Sequence, residues 1–385
     1  MFSSRLKWDA PPNPLSRLLE EKRRAGIRIL DLTESNPTHA GLAYPGREIL
    51  GALADAAALT YEPTPRGLIS AREAVSQYYA ERGAATDPAR VLLTASTSEA
   101  YAYLFKLLAD PGDEVLAPRP SYPLFEFLAG LENIQVRQYP LRYDGVWHVD
   151  FEALESAIGA RTRAIVVVNP NNPTGSFLKR EEAARLTALA AEHGIAILSD
   201  EVFSDYALAD DPSRAPSFAA GSAEALTFTM SGLSKIAGLP QMKLAWIVAA
   251  GRGADEALDK LEWIADTYLS VATPIQAALP RILAAARTVR DQIRQRAASN
   301  LLSLREQIAG SAASCLRVEG GWYAVLQIPR TRPEEQWVAS LLRDHDVLVQ
   351  PGFFYDFETE AHLVVSLLSE PATFREGVQR LSGLL

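Results

Sequence analysis

Cysteine and histidine are both scarce in this 385-residue sequence. The single cysteine, Cys315, excludes an internal disulfide and any metal site built from several thiolates. The five histidines are scattered along the chain without the spacing of metal ligands: His39, His148, His193, His345 and His362. No metal site is therefore expected, and a metal hydrolase is the least supported enzyme class.

The sequence also lacks a long apolar run and an excess of positive charge. No uncharged apolar stretch approaches the roughly 18 residues that a membrane span needs, so we expect no membrane partner. The opening residues, MFSSRLKWDAPPNPL, contain no apolar segment typical of a secretory signal peptide. With 38 basic and 47 acidic residues the net charge is -9, which argues against nucleic acid as the main partner. We expect a soluble cytoplasmic enzyme or binding protein.

Strand-like and helix-like segments alternate between about residue 65 and about residue 250. The run 163-RAIVVV-168 is short, β-branched and bounded by turn residues, which is typical of a strand covered on both faces. The segment 179–194 carries apolar residues on one helical face and ends at Gly194. This alternation predicts an α/β fold with βαβ crossovers and a mainly parallel sheet sandwiched by helices.

The pattern changes beyond residue 253. Residues 253–308 are typical of long helices, interrupted near Thr273, and the remaining residues alternate between strand-like and helix-like segments. We interpret this part as a smaller α+β domain. The expected organisation is a large cofactor-binding domain over residues 45–285 and a small domain formed by residues 1–44 and 286–385.

Polar residues of unusual kinds follow several predicted strands, and in open parallel sheets ligands bind beyond the carboxyl ends of the strands. The segments are 94-TASTSEA, 169-NPNNPTG, 200-DEVFSDY and 231-SGLSK. If these ends share one crevice, an amide, a carboxylate, an amine and a phosphate-sized nest at a helix N-terminus meet there. The residues concerned are Asn172, Asp200, Lys235 and the hydroxyl residues Ser96, Thr97 and Ser98.

Each of these residues also has a purely structural interpretation. Asp200 can cap a turn, Lys235 can be a surface lysine, and hydroxyl residues such as Ser96 commonly cap helices. Their occurrence together at successive strand ends favours a functional site.

Three segments in particular, NPNNPTG, DEVFSDY and SGLSKIAGLPQMK, resemble the class I/II aminotransferases in order and spacing. These are pyridoxal-phosphate enzymes with the aspartate aminotransferase fold, fold type I. The resemblance extends to 61-YEPTPRGLISARE, 120-PSYPLFEF and 350-QPGFFYDF, so it covers nearly the whole chain. NPTG alone is weak evidence, whereas the ordered set is specific.

The resemblance implies a role for each converging residue. Lys235 would form a Schiff base with pyridoxal 5′-phosphate and then act as the proton-shuttling base. Asp200 would pair with the pyridine nitrogen and stay ionised beside that cation. Asn172 would donate its amide to the ring oxygen O3′ and to a substrate carboxylate, and Tyr122 would stack on the ring.

The resemblance further implies a phosphate site and a homodimer with shared active sites. Tyr61 matches a tyrosine that reaches the phosphate of the neighbouring subunit in this family. The other residues expected at the phosphate are Ser96, Thr97, Ser98, Lys243 and either Ser231 or Ser234.

Two positions near the cofactor depart from the family pattern. Lys243 stands where the family usually has a phosphate-binding arginine, and lysine keeps the charge without the bidentate fork. We expect it to bind phosphate, the alternative being a solvent-facing lysine. Phe203 stands where many relatives have a tyrosine whose hydroxyl bonds O3′. We therefore expect a raised pKa for the Schiff base, which a spectral pH titration measures.

A third departure concerns the substrate. The family usually carries an arginine, in the strand after the PG motif, that clamps the substrate α-carboxylate. Here the strand reads 362-HLVVSLL-368 and Val364 occupies that place, unless the alignment slips towards Arg375. The carboxylate must find another cation, or the substrate lacks one in that position. The possible substitutes are Arg28, Arg66, Arg119 and His362.

The leading hypothesis is an aminotransferase that moves an amino group between an amino acid or amine and a keto acid through a Lys235 Schiff base. Val364 keeps open a lyase, decarboxylase, racemase or oxidase on the same scaffold. A cofactor-binding regulator without catalysis is a further alternative, which the presence of Lys235 and Asp200 disfavours.

Overall fold

The computed structural model describes residues 2–6, 13–221 and 224–384. Its strands are β1 (Leu30–Asp31), β2 (Val91–Thr94), β3 (Glu114–Arg119), β4 (Gln135–Tyr143), β5 (Trp147–Val149), β6 (Thr162–Val168), β7 (Ala196–Asp200), β8 (Thr227–Gly232), β9 (Ala245–Ala250), β10 (Ser314–Cys315), β11 (Tyr323–Gln327), β12 (Val347–Leu348), β13 (Gln350–Pro351) and β14 (His362–Ser366). Its helices are α1 (Pro14–Arg24), α2 (Gly46–Leu53), α3 (Ile69–Ala80), α4 (Thr97–Leu108), α5 (Leu124–Leu131), α6 (Phe151–Ala157), α7 (Arg180–His193), α8 (Leu233–Ile236), α9 (Ala254–Tyr268), α10 (Thr273–Ile308), α11 (Glu334–His345) and α12 (Pro371–Ser382). Within these described ranges, no helix is long and apolar enough to cross a membrane.

The large lobe is built on an eight-stranded sheet with the strand order β2-β9-β8-β7-β6-β3-β4-β5. The central pairs β4·β3, β3·β6, β6·β7 and β7·β8 are parallel. Strand β9 runs antiparallel to both of its neighbours, and β5 runs antiparallel to β4. The expectation of a mainly parallel sheet is confirmed, and the two reversed strands are β9, next to the edge strand β2, and β5 at the opposite edge.

Helices cover both faces of this sheet. On one face, side chains of α4, α5 and α9 pack against β6, β7 and β8 in one apolar cluster. On the other, α3 and the first half of α10 form a second cluster, and α6 and α7 belong to a third. Burial on both faces accounts for the β-branched, nearly continuous apolar character of β6.

The small lobe contains an antiparallel sheet with the order β10-β11-β14-β13 and the separate parallel pair β1·β12. Its core combines β11 and β14 with α11, α12 and the second half of α10. Because β1 pairs with β12, the N-terminal segment joins this lobe. Helix α10 runs without a break from the large lobe into the small one, across the boundary expected at residue 285.

Candidate active site

The carboxyl ends of β6, β7 and β8 lie side by side and bring three of the predicted segments together. Val168 is paired with Asp200, and Asp200 with Met230. The pairing continues past the strands, since the Asn169 amide donates to the Asp200 carbonyl at 2.8 Å and the Glu201 amide to the Met230 carbonyl at 2.8 Å. The residues after these strands therefore share one edge of the sheet, as expected.

Lys235 lies on the short helix α8 with its ammonium group enclosed by aromatic rings. Its Nζ lies 5.0 Å from the centre of the Trp322 ring and 5.6 Å from that of Phe203. Burial lowers the pKa of Lys235, and the negative charge of Asp200 opposes that shift. More of this lysine is therefore the neutral, nucleophilic amine than is usual for an exposed lysine.

Asp200 ends strand β7, and both of its carboxylate oxygens accept hydrogen bonds. The Val202 amide donates to Oδ1 at 3.2 Å, and the Tyr101 hydroxyl donates to Oδ2 at 3.1 Å. Burial raises the pKa of Asp200 to about 6, against the opposing effects of these two donors and of Lys235. A nearby cation would restore full ionisation at neutral pH.

Sequence reasoning missed Tyr101 as a site residue. It lies four residues after Thr97 on α4, so the helix carries both residues on one face. No local sequence pattern marks it, because its contact with Asp200 depends on how α4 packs over β7.

The NPNNPTG loop uses its three asparagines differently. Asn169 accepts from the Leu178 amide at 3.1 Å, and Asn171 donates to the Pro120 carbonyl and the Thr174 hydroxyl, both at 3.0 Å. The Oδ1 atoms of Asn171 and Asn172 are both buried without a hydrogen-bond partner. Asn169 and Asn171 hold the loop through the bonds above, whereas the Asn172 side chain makes no hydrogen bond within the described residues. The Asn172–Pro173 peptide is cis.

A segment of the small lobe anchors this loop. The Gly320 amide donates to the Gly175 carbonyl at 2.9 Å, and the Glu319 carboxylate accepts from the Phe177 amide at 3.0 Å. Gly175 has φ +69°, and a Cβ there would lie 2.5 Å from the Gly320 carbonyl oxygen. No sequence pattern predicts this contact. It connects the loop to the segment that leads directly into Trp322.

The N-terminus of α4 presents the expected hydroxyl residues to the same sheet edge. Ser96 caps the helix, since its Oγ accepts from the Glu99 amide at 3.1 Å. Thr97 and Ser98 occupy the first turn and are partly exposed. Backbone N–H groups of a first helical turn have no partner within the helix, so they favour an anion.

The other expected phosphate residues have different environments. Lys243 is exposed and has φ +48°, and Ser234 is partly exposed. Ser231 is fully buried opposite Trp246 of β9, and its Oγ has no hydrogen-bond partner. Tyr61 is 72% exposed and lines a surface pocket together with residues of α9 and the loop after it.

The two rings beside Lys235 belong to a buried cluster, and we call five of its side chains the apolar wall. These are Phe203, Trp322, Tyr323, Tyr355 and Val364. The Phe203 and Trp322 rings pack edge to face at 5.2 Å between centres. Val364 is fully buried on β14, with Val325 and Gln350 as its partners on the adjacent strands. Tyr122 is half-exposed beside Tyr323 and Tyr355.

The substitutes considered for the missing arginine are all engaged elsewhere. Three pair with glutamates: Arg28 with Glu376, Arg66 with Glu262 and Arg119 with Glu358. His362 stacks on Phe357 at 4.5 Å and contacts the Thr359 carbonyl at 3.0 Å through Nδ1. Across the described ranges, no group of His, Cys, Asp and Glu side chains could hold a metal ion.

The crevice at the carboxyl ends of β6, β7 and β8 brings together a partly buried lysine, an aspartate and an asparagine with an unpartnered amide oxygen. The family model described as aminotransferase class I and II matches residues 28–381. This chain belongs to that family and is an aminotransferase with the aspartate aminotransferase-like fold.

Individual relatives agree with this assignment. The chain is 30% identical to the alanine aminotransferase of Mycobacterium bovis over 94% of its own length and 86% of that protein. It is 27% identical to the glutamate-pyruvate aminotransferase AlaA of Haemophilus influenzae, over 95% and 92% of the two chains. A crystal structure of an aminotransferase from Escherichia coli matches with a TM-score of 0.87 at 25% identity, covering 100% and 98% of the chains. A Thermus thermophilus aspartate aminotransferase mutant shares the fold with a TM-score of 0.88.

Proposed function

We propose that this aminotransferase binds pyridoxal 5′-phosphate at Lys235 and moves an amino group between an amino acid or amine and a keto acid. The observation that carries the proposal is the convergence of Lys235, Asp200 and Asn172 at one sheet edge. Asp200 interacts electrostatically with Lys235, and Asn172 Oδ1 is buried without a partner.

The residues fit the cofactor at each of its polar groups. Asp200 would accept the N–H of the protonated ring nitrogen, and that cation would lower its pKa from about 6. The amide of Asn172 would meet the ring oxygen, and Tyr122 is exposed enough to cover a ring face. The first turn of α4, with Lys243 and Ser234, would hold the phosphate.

The cofactor, when bound, supplies an aldehyde that reacts reversibly with amines and a ring that accepts electrons from the substrate Cα. Lys235 provides the nucleophilic amine, since burial lowers its pKa. Once the substrate amine has taken its place, the freed Nζ can remove a proton from the substrate and return it at another carbon. The surrounding rings of Phe203 and Trp322 exclude water from that proton transfer.

A homodimer is part of the proposal. Tyr61 and Leu59 are strongly exposed, and Tyr61 lines its pocket together with Leu269. Trp263 on α9 is also exposed and lines an adjoining pocket with Pro65. Exposed apolar side chains grouped in this way favour a protein interface, and Tyr61 would then reach the partner's phosphate site.

The test mixes purified, cofactor-loaded protein with a panel of donors, including alanine, glutamate and simple amines. We expect absorbance to change from the aldehyde form to the amine form, and a keto acid to reverse the change. Lys235→Ala should abolish it. Release of ammonia and keto acid without an acceptor would instead favour a lyase, and hydrogen peroxide an oxidase. Absence of any cofactor absorbance would contradict the proposal.

A further inference from the structure

Val364 belongs to the same buried cluster as the two rings that lie beside Lys235. The side chains opposite each other on β11, β14 and β13 share one face of the small sheet, and here they are Val325, Val364 and Gln350. Residues 363 and 365 point to the other face, into the small-lobe core. Val364 therefore belongs to the apolar wall together with Phe203 and Trp322, whose rings lie within 6 Å of Lys235 Nζ by their centres.

The charges around this wall are unsuited to an anion. Asp200 interacts electrostatically with Lys235, and Glu34 with Tyr323. Gln350 is the polar neighbour of Val364, and its amide oxygen accepts from the Tyr355 hydroxyl. The five side chains of the wall offer one buried, unpartnered donor, Trp322 Nε1, and no cation. A substrate carboxylate placed here would therefore be desolvated without an ion-pair partner in the wall.

Basic side chains adjoining the wall are already paired. Arg296 touches the same cluster, but its guanidinium donates to the carbonyls of Ala40 and Leu368, at 2.9 and 3.3 Å. The cations that the sequence offered as substitutes, Arg28, Arg66, Arg119 and His362, have the partners described above. Recruiting any of them would break an existing ion pair or hydrogen bond.

We propose that the preferred amino donor is a hydrophobic primary amine whose amino-bearing carbon carries no carboxylate. Its apolar or aromatic substituent packs against Phe203, Trp322 and Val364. This inference rests on the proposed function and specifies its donor class. In the first half-reaction, starting from the cofactor held by Lys235, the amine would leave as an aldehyde or ketone whose oxygen comes from one water. Its nitrogen would stay on the cofactor, Lys235 would return to the free amine, and no external oxidant is needed.

The test compares donors that differ only by the α-carboxylate: 2-phenylethylamine with phenylalanine, and 3-methylbutylamine with leucine. We measure single-turnover rates of the absorbance change in the cofactor-loaded holoenzyme. We expect each amine to react at least about 100-fold faster than its amino acid, because an unpaired buried carboxylate costs several factors of ten. The Lys235→Ala protein cannot turn over, so calorimetry measures binding alone. There we expect each amine to bind more tightly than its amino acid.

Two variants at the wall refine the test. Val364→Leu should keep the preference for amines. Val364→Arg should raise the rate with phenylalanine about tenfold or more and lower that with 2-phenylethylamine, since it supplies the missing cation. If Val364→Arg does not fold, the comparison of amines with amino acids in the wild-type protein still tests the proposed donor class.

The failures of the two proposals are distinguishable. Faster reaction of phenylalanine, leucine or alanine in the wild type would overturn the donor class and leave the aminotransferase function standing. Absence of reaction with every donor, in protein that carries the cofactor, would overturn both.

Discussion

The Tyr101–Asp200 pair is the residue-scale feature that sequence reasoning did not provide. Asp200 could be predicted because it follows the predicted strand 195-IAILS and opens DEVFSDY. Tyr101 could not, because its role depends on how α4 packs over β7, and that packing has no local signature. The hydroxyl donates to Oδ2 at 3.1 Å, so it orients the carboxylate and stabilises its ionised form.

Tyr101→Phe should weaken cofactor binding about tenfold, since a hydrogen bond to a charged group contributes about 1.5–3 kcal/mol and packing is kept. Cofactor titration by absorbance measures this. Tyr79→Phe is the matched control: Tyr79 is also buried, and its hydroxyl accepts from Trp246 at 3.1 Å, away from Asp200. Equal cofactor affinities for Tyr101→Phe and wild type would refute the positioning role.

The pKa of Asp200 predicts a pH dependence of cofactor binding. Burial raises that pKa to about 6 in the cofactor-free protein, so the carboxylate is ionised above pH 6 and protonated below it. Affinity for the protonated ring should therefore fall as pH drops from 7 to 5. The Asp200→Asn protein should bind the cofactor more weakly at pH 7, and its affinity should not show the fall between pH 7 and pH 5 that comes from Asp200. The check is a set of cofactor titrations across that range, and matching pH profiles for the two proteins would count against the account.

The same shift affects the stability of the cofactor-free protein in the opposite sense. An acid whose pKa is raised on folding contributes stability when protonated, and that contribution is lost as pH rises. For Asp200 this stability is lost as pH rises from the ordinary pKa of 3.8 to the folded-state pKa of about 6. At neutral pH the buried, ionised Asp200 carboxylate therefore lowers the stability of the cofactor-free protein.

At the scale of elements, the sequence predicts positions better than directions and contacts. The period and length of β9 identify a strand, but nothing in 244-LAWIVA indicates that it runs antiparallel to both neighbours. Likewise the NPNNPTG loop is recognisable as irregular, whereas its attachment to residues 319–321 joins segments about 145 positions apart. Such long-range contacts follow from tertiary packing and leave no local pattern.

Gly175→Ala tests the attachment of the loop. A Cβ at position 175 would lie 2.5 Å from a backbone oxygen at a φ of +69°, so both the contact and the conformation oppose it. We expect a loss of about 2–4 kcal/mol in the free energy of unfolding and weaker cofactor binding, because Asn172 moves with the loop. Denaturant unfolding and cofactor titration provide the measurements.

Gly194→Ala is the control for backbone conformation alone. Gly194 follows α7 at a φ of +63° with nothing within 4 Å of an added Cβ. Gly194→Ala should lower the free energy of unfolding by about 1 kcal/mol and leave the cofactor affinity unchanged. Similar effects of the two substitutions would mean that the 319–321 contact does not position the loop.

At the scale of the whole molecule, the two lobes meet where α10 passes between them and where Val364 of β14 joins the buried cluster that contains Phe203. The fold class was predictable because strand–helix alternation and the ordered motifs extend along nearly the whole chain. The substrate-facing wall was only partly predictable. The sequence locates Val364, but Trp322 joins the wall through the lobe contact.

The proposed dimer predicts an effect of a surface substitution on assembly. Trp263 is 78% exposed, so Trp263→Asp should leave the monomer fold intact and weaken self-association at least about tenfold by placing a charge in an apolar interface. Leu302→Asp is the control, on α10 at 59% exposure. Sedimentation velocity over a concentration series distinguishes them, and a wild-type monomer at all concentrations would contradict the dimer.

The most direct test of the central claim is to locate the cofactor's covalent bond. Protein loaded with pyridoxal phosphate is reduced with borohydride, digested, and analysed by peptide mass spectrometry. The account predicts one modified lysine, Lys235, in the peptide containing SGLSK, and no modification after prior conversion with an amino donor. Modification of a different lysine, or none in protein that has bound the cofactor, would contradict it.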